Sequence, residues 1–459
     1  MPGGPEVRAR RFCVIGGARS GLAVAALLKN HGAQVFLSEK APSNSMVSVR
    51  AELEQMGISS EFGGNTERVL DADTIVVSPG VPSDVPIVKQ ARARGIPLVS
   101  ELEVAAWFCD GPIVAITGTN GKTTTTSLTG RMFEDARLPS VVAGNIGTAF
   151  SDAVGKMPSG GTAILEVSSF QLDYIVSFRP RVAVLLNVTP DHLDRYEHSF
   201  EKYTASKRRI FENQNDGDAL VYNVDDPVTR SQVEYAPRAI QRLPFSVRSQ
   251  LPQGAFLDRG TMVAVVKGER SELLPPEEMS LRGIHNLANA MAATLAARFM
   301  GVRASSIRAT LRNFRGVEHR LEFVRERNGV WFVNDSKATN VDSVWYALQS
   351  YTQPIIVIIG GRDKGNDYSR LYELVQKRVK TVIAIGESAE KVVDAFSKLA
   401  PVARATSMEE AVEMGAAMAA PGDVVLLSPA CASFDWFQNY EHRGRMFKDA
   451  VMKLSDTSR

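Results

Sequence analysis

Short apolar runs alternate with helix-length segments from one end of this 459-residue chain to the other. In the first hundred residues the runs are "RFCVIG", "AQVFLS", "DTIVVS" and "IPLVS", and the segments 20–31, 49–56 and 87–94 between them carry a helical pattern. Runs this continuous suit strands covered on both faces, so the alternation predicts parallel sheets packed between helices. The pattern restarts near residue 107 with "PIVAIT", "TAILEVSS" and "RVAVLLNVT", and again near residue 317 with "VWFVND", "PIIVIIGG", "TVIAIG" and "DVVLLSP". A chain of this length is expected to hold roughly three cores. Helices are expected at 199–213, through "HNLANAMAATLAARFMG" with Gly301 as its stop, and over 436–453. Between 218 and 280 the strands read as short and weakly patterned. The fold class is therefore α/β with three domains, 1–106, 107–316 and 317–459, each built on a mainly parallel sheet.

Charge and cysteine usage narrow the partners. Fifty-three basic residues stand against 51 acidic ones, so no whole-chain field favours nucleic acid or a membrane surface. No apolar run reaches 18 residues, and the first ten residues, "MPGGPEVRAR", lack the apolar centre of a signal peptide. Cys13, Cys109 and Cys431 lie far apart without metal-ligand spacing, as expected in a reducing compartment. Together these features predict a cytoplasmic protein that binds neither nucleic acid nor membrane.

The stretch "AITGTNGKTTTT", residues 115–126, falls between a buried strand and a helix. Gly118 and Gly121 let the backbone turn its N–H groups inward, Lys122 supplies a point charge, and Thr123 offers a hydroxyl to magnesium. A standard phosphate loop has a glycine five residues before the glycine of its Gly-Lys pair; here that position is Ile116, and Gly118 comes two residues later. The shortening argues against the motor and GTPase families while keeping the parts of a triphosphate grip. Magnesium seeks six oxygens, so carboxylates are expected close by. Glu166, closing "AILE", and Asp191 and His192, following "VLLNVT", fall at strand ends, where an open parallel sheet places its ligands.

Two further stretches leave alternatives open. "GGARSG" follows the first strand where a dinucleotide fingerprint would sit, but Ala18 replaces the middle glycine. It reads either as a tight turn or as an anion site at a helix N-terminus. In "SFEKYTASKRRIFEN", Lys207 shares a face with Phe200, Tyr203, Ile210 and Phe211. A lysine can lay its stem along such a face and keep its ammonium in water. Arg208 and Arg209 read as the solvated face.

Beyond the glycine loop, "EVSSFQL" at 166–172, "HNLANA", "EHR" at 318–320, "NDSKATN" at 334–340, "GGRDKG" and "LLSPACASFDWF" follow in order. In this order they resemble the ATP-dependent Mur ligases of peptidoglycan synthesis over nearly the whole chain. "DSKA", where other members carry an Asp-Tyr-Ala-His type sequence, resembles the branch that adds D-glutamate. The resemblance implies a Rossmann-like UDP-substrate domain, a P-loop-type ATPase domain and a Rossmann-like amino-acid-binding domain. It implies that ATP phosphorylates the terminal carboxylate of UDP-N-acetylmuramoyl-L-alanine and that the amine of D-glutamate attacks the acyl phosphate, in a monomer using two Mg2+ ions.

Residue roles come from the same resemblance. Gly118, Thr119, Asn120, Gly121, Lys122, Thr123 and Thr124 would hold the phosphates, and Asn289, Arg320, Asp335 and Lys337 would reach the nucleotide. Thr123 and Glu166 would bind one magnesium, with His192 and a carbamate on Lys207 at the other; an apolar setting favours the neutral, nucleophilic lysine this needs. Lys122, Glu166, His192 and Lys207 form the implied catalytic set. Arg19, Ser20 and Ser78 would meet the uridine diphosphate, Asn145 and His192 the muramoyl end, and Thr339, Lys364, Ser433, Phe434 and Tyr440 the D-glutamate. "LSEK" at 37–40 departs from the family's acidic-then-basic strand end, and Tyr440 stands where the family has Phe. Closure around ATP, with hinges near 107 and 317, is expected. Three rivals remain: a nicotinamide oxidoreductase with Glu39 on a ribose, a nucleotide-driven switch, and a folylpolyglutamate synthase, which shares the glycine loop but has no need of a UDP-binding first domain.

Overall fold

The computed structural model describes residues 6–281, 283–363 and 365–455. Three sheets organise them. The first holds β1 (Arg11–Ile15), β2 (Gln34–Glu39), β3 (Ser59–Phe62), β4 (Thr74–Val77) and β5 (Leu98–Ser100) in the order 3-2-1-4-5, all parallel. The second holds β6 (Ile113–Thr117), β7 (Ser140–Gly144), β8 (Thr162–Glu166), β9 (Val182–Leu185), β10 (Ala219–Asn223), β11 (Gln241–Phe245), β12 (Gly254–Asp258), β13 (Thr261–Val266) and β14 (Glu269–Glu272). Their order is 14-13-12-11-10-9-6-8-7. Parallel pairing runs from β7 to β12, and β12 to β14 form an antiparallel extension. The third holds β15 (Glu322–Arg327), β16 (Val330–Asn334), β17 (Ile355–Gly360), β18 (Val379–Ile385), β19 (Val402–Arg404) and β20 (Val424–Leu427) in the order 15-16-20-17-18-19, with only β15 antiparallel.

The continuous apolar runs became inner strands, except "IPLVS", which supplied the edge strand β5. β4, β6, β8, β9, β17 and β20 are buried at every position, as strands covered by helices on both faces must be. The weakly patterned stretch after residue 218 is β10 to β14. Its charged last strand, "ERSE", closes the sheet edge, where charge discourages further pairing. The final helix is Tyr440–Lys453, shorter than the 436–453 expected, because Asn439 accepts from the His442 N–H and fixes the start.

By packing, the chain up to Met279 together with Ala288–Asn313 forms one compact unit, and Ser280–Leu287 with the chain from Phe314 onward forms a second. The first unit therefore contains both the first and the second sheet. Glu103, fully buried in the helix Glu101–Trp107, joins them. Its carboxylate accepts from the successive N–H groups of Val176, Ser177 and Phe178 at 2.9, 2.9 and 2.8 Å, and from Trp107 Nε1 at 2.9 Å. The expected bending point near residue 107 is thus crossed by a buried multi-bond clamp. No helix among the described residues is long and apolar enough to cross a membrane.

Candidate active site

β6 ends at Thr117, and after the glycine loop the helix Lys122–Asp135 begins. Gly121 caps that helix in the left-handed region at φ 86°, and a Cβ there would collide with Asn289 Oδ1. Only glycine meets both demands. The first-turn N–H groups of the helix have no intrahelical acceptor and lie at its positive end, an arrangement suited to phosphate. Lys122 folds over the loop, its Nζ donating to the Gly118 and Thr119 carbonyls, each at 2.9 Å.

Glu166 ends β8 beside this loop and is 2% exposed. Thr123 Oγ1 donates to its Oε2 at 2.7 Å and Asn145 Nδ2 to its Oε1 at 2.9 Å. Both donors are neutral, and no cationic side chain of the described residues pairs with this carboxylate. A buried carboxylate and a hydroxyl at a phosphate-ready helix end form a donor set that fits Mg2+. His192 follows β9 in the left-handed region at φ 52°, its ring edge-on to Phe170 and its Nε2 3.7 Å from Asp191 Oδ2.

Lys207 is 2% exposed, so its ammonium does not reach water. Its Nζ donates to the Gly118 carbonyl at 2.8 Å and lies 4.8 Å from the Tyr203 ring centre. Lys122 and Lys207 therefore converge on one carbonyl oxygen. Burial above all, then repulsion from Lys122, drives the Lys207 pKa well below that of an ordinary lysine; Asp191, Asp173 and Glu166 pull the other way. The helix is fixed beside Lys207 by Ser206, which donates to the Ser169 carbonyl at 2.9 Å. Arg209 is not on a solvated face: it donates to the Leu172, Asp173 and Ile175 carbonyls at 2.8, 2.6 and 2.7 Å. Arg208 lies over the Tyr235 ring at 4.0 Å.

In the first sheet, ligands are expected between β1 and β4, where the strand order reverses. Gly21 packs so closely that a Cβ would strike the Gly16 carbonyl, and Ser78 Oγ donates to that carbonyl at 3.1 Å. Ser20 is half-buried in the first turn of the helix Arg19–Asn30, and Arg19 donates to the Gly147 carbonyl. Glu39 turns back on the loop, accepting from Gly17 N–H at 2.5 Å and Ala41 N–H at 2.7 Å. Both its oxygens are engaged, which counts against the ribose role of the nicotinamide reading.

In the C-terminal unit, Asp335 follows β16 and is fully buried. It accepts from Ser428 Oγ at 3.0 Å and from Leu321 N–H at 3.2 Å, and Arg320 NH1 stands 3.6 Å away. Burial pushes its carboxyl up from 3.8 to about 6, against the pull of Arg320. Lys337 donates to Tyr440 Oη at 3.3 Å and lies 5.1 Å from that ring's centre, so the hydroxyl at position 440 has a defined partner. Thr339 is half-buried, Ser433 is buried and Phe434 is 61% exposed. Lys364 lies outside the described residues.

The raised carboxyl gives a pH-dependent expectation. The folded state holds the Asp335 proton more tightly than the unfolded chain, so this contribution to stability is full below about 3.8 and is lost as pH rises through about 6. A shift of that size corresponds to roughly 3 kcal/mol. Asp335→Asn is expected to stabilise the C-terminal unit at pH 8, with the difference shrinking toward pH 4. Denaturant midpoints at the two pH values would show it, and a variant less stable than the parent at pH 8 would contradict the burial argument.

Two residues escaped the sequence reading, one fully buried and one half-buried. Arg443, in the last helix, is fully buried and donates to Ser336 Oγ at 3.0 Å, the Ser336 carbonyl at 2.8 Å and the Cys431 carbonyl at 3.1 Å. It thereby joins the loops after β16 and β20, and burial lowers its pKa to about 10. The other is Asn187, just past β9; its place at a strand end in "VLLNVT" was the available signal.

Three family models match: "Mur ligase MurD-like, N-terminal domain" over residues 10–100, "Mur ligase middle domain" over 116–297, and "Mur ligase, glutamate ligase domain" over 319–431. The UDP-N-acetylmuramoylalanine–D-glutamate ligase of Salinibacter ruber is 51% identical over 458 residues, covering 98% of this chain and 99% of its own. The enzyme of that name from Chloroherpeton thalassium is 45% identical over 465 residues, with 98% and 99% covered. Among solved structures, UDP-N-acetylmuramate-alanine ligase MurC from Thermotoga maritima aligns with TM-score 0.60 at 19% identity, covering 97% of this chain and 100% of its own. MurF from Acinetobacter baumannii aligns with TM-score 0.61 at 17% identity, covering 97% and 92%. At those identities the solved structures speak for the fold alone.

Proposed function

The chain belongs to the Mur ligase family, and on that premise we propose that it joins D-glutamate to UDP-N-acetylmuramoyl-L-alanine at the expense of ATP, in peptidoglycan precursor synthesis. The relatives that match it from end to end carry that activity in their names. The observation that carries the chemistry is the meeting of Lys122 and Lys207 on the Gly118 carbonyl, next to the Thr123–Glu166 pair.

A carboxylate resists attack by an amine because its negative charge repels the nucleophile and oxide is a poor leaving group. Transfer of the terminal phosphoryl group makes an acyl phosphate, whose phosphate leaves readily. Positioning and neutralisation of charge then supply most of the rate. Lys122 and the first-turn N–H groups of its helix receive the phosphates. Thr123 and Glu166 would hold one magnesium ion, and His192 with a carbamylated Lys207 a second; bound there, the ions would supply positive charge to offset that of the phosphates.

The carbamate has a physical rationale in the two lysines. Two ammonium groups sharing one carbonyl in a buried site repel each other. Addition of CO2 to the neutral amine of Lys207, with release of one proton to solvent, makes a carbamate anion, so that its interaction with Lys122 turns attractive. Its low pKa supplies the neutral amine. Arg19, Ser20, Ser78 and Asn145 are assigned to the UDP-muramoyl substrate, Asn289, Arg320, Asp335 and Lys337 to the nucleotide, and Thr339, Lys364, Ser433, Phe434 and Tyr440 to D-glutamate, a dicarboxylate that calls for cations and hydroxyls.

A coupled assay offering UDP-N-acetylmuramoyl-L-alanine with a panel of D- and L-amino acids tests the reading. ADP is expected only when acceptor and D-glutamate are both present, and oxygen-18 placed in the acceptor carboxyl is expected in the released phosphate. ADP release from ATP alone at the full rate, or phosphate free of the label, would overturn it.

A further inference from the structure

We infer that Asn187 is a positioning residue for the nucleotide: it draws two backbone N–H groups of the glycine loop away from the phosphates and locks the loop's shape. The inference rests on the nucleotide reading given above. Asn120 N–H donates to Asn187 Oδ1 at 2.8 Å, and Asn187 Nδ2 donates back to the Asn120 carbonyl at 3.0 Å. The backbone joins in, with Thr119 N–H donating to the Asn187 carbonyl at 2.9 Å. Asn187, two residues past the end of β9, thus satisfies residues 119 and 120 through three hydrogen bonds.

The consequence concerns the shortened loop. A full-length phosphate loop wraps its N–H groups around the anion, but here the Thr119 and Asn120 N–H groups are already committed. With those two N–H groups spent, phosphate is left to the glycine N–H groups of the loop, the first turn of the helix from Lys122 and the lysine ammonium. The two glycines shape the loop, and Asn187 holds it in that shape before nucleotide arrives. Such pre-ordering removes part of the entropy cost of binding. Asn187 itself need touch no ligand, because its side-chain amide is spent on the Asn120 peptide.

Asn187→Ala removes both side-chain bonds, and the near-isosteric Asn187→Asp keeps an acceptor for Asn120 N–H while losing the donor to its carbonyl. In the full-length protein, ATP binding measured by titration calorimetry is expected to weaken about tenfold in Asn187→Ala, the scale set by two lost hydrogen bonds. The affinity for UDP-N-acetylmuramoyl-L-alanine alone should stay within about twofold. Amide hydrogen exchange across residues 117–123 of the unliganded protein should speed up in both variants. ATP affinity and exchange rates unchanged from the parent, or equal weakening of both ligands, would overturn the inference. Should Asn187→Ala fail to fold, Asn187→Asp carries the same comparison. If the parent protein itself binds no ATP, the nucleotide reading of the site fails first, and this inference with it.

Discussion

Replacing Lys207 with alanine is expected to lower ligation by about a thousandfold or more, the scale on which loss of a preorganised charge at a reacting centre is felt. The amine is buried and its nearest polar partner is the phosphate-loop carbonyl of Gly118, so surface charge cannot account for its presence. An uncompensated buried amine also costs stability. Lys207→Met, which fills the same space without the charge, is therefore expected to be at least as stable as the parent and as inactive as the alanine variant. Melting curves alongside the coupled assay would separate the two effects. Protein equilibrated with carbon-13 bicarbonate should also show a carbamate carbon resonance that both variants lack. Parental activity in either variant would refute the assignment.

Glu103→Ala is expected to be the most destabilising single change in the first unit, by about 3–5 kcal/mol. The substitution leaves three successive N–H groups at 176–178 and the Trp107 indole without their acceptor. Unsatisfied buried donors cost their full desolvation, which is why the loss exceeds the value of one ordinary bond. In a unit of this size that corresponds to a fall of roughly 6–15 °C in the first melting transition. Glu103→Gln keeps one oxygen acceptor and should fall between the parent and Glu103→Ala. A transition within about 2 °C of the parent for Glu103→Ala would show that the clamp does not hold the two sheets together.

How much of the fold could be read in advance follows from burial. Every strand buried at all its positions, from β4 to β20, had been visible as a continuous apolar run, because covering both faces of a sheet leaves little place for polar side chains except at strand ends, where Glu166 lies. The strands not foreseen, β3, β7, β15 and β19, are all sheet edges, with mostly half-exposed sequences such as "SSEF" and "VAR". An edge strand is held mainly by the backbone of its single neighbour, and backbone hydrogen bonding leaves little mark on side-chain type.

The candidate site divides along the same line. Strand, loop and helix around "GTNGKT", and Glu166 at the end of β8, were legible because a glycine turn and an apolar run are local facts of sequence; Asp191 and His192, expected at a strand end, lie in the loop beyond β9. Lys207 was ambiguous, since helical spacing puts it on the apolar face but cannot say what that face meets. Its partner Gly118 is 89 residues away along the chain. Glu39, a ribose ligand only in the nicotinamide reading, proved to accept from the Gly17 and Ala41 N–H groups. Arg209 read as solvated and proved to cap three carbonyls.

The amino-acid order alone thus determined three α/β domains, their inner strands and the loops at which chemistry gathers, because each follows from side-chain burial and backbone freedom over a few residues. Tertiary structure alone decided that two lysines share one carbonyl, that Asn187 occupies two N–H groups of the phosphate loop, and that Arg443 joins the Ser336 and Cys431 loops. Those contacts join atoms far apart in the chain, and only packing at fixed distances selects them from the many that the same composition would allow.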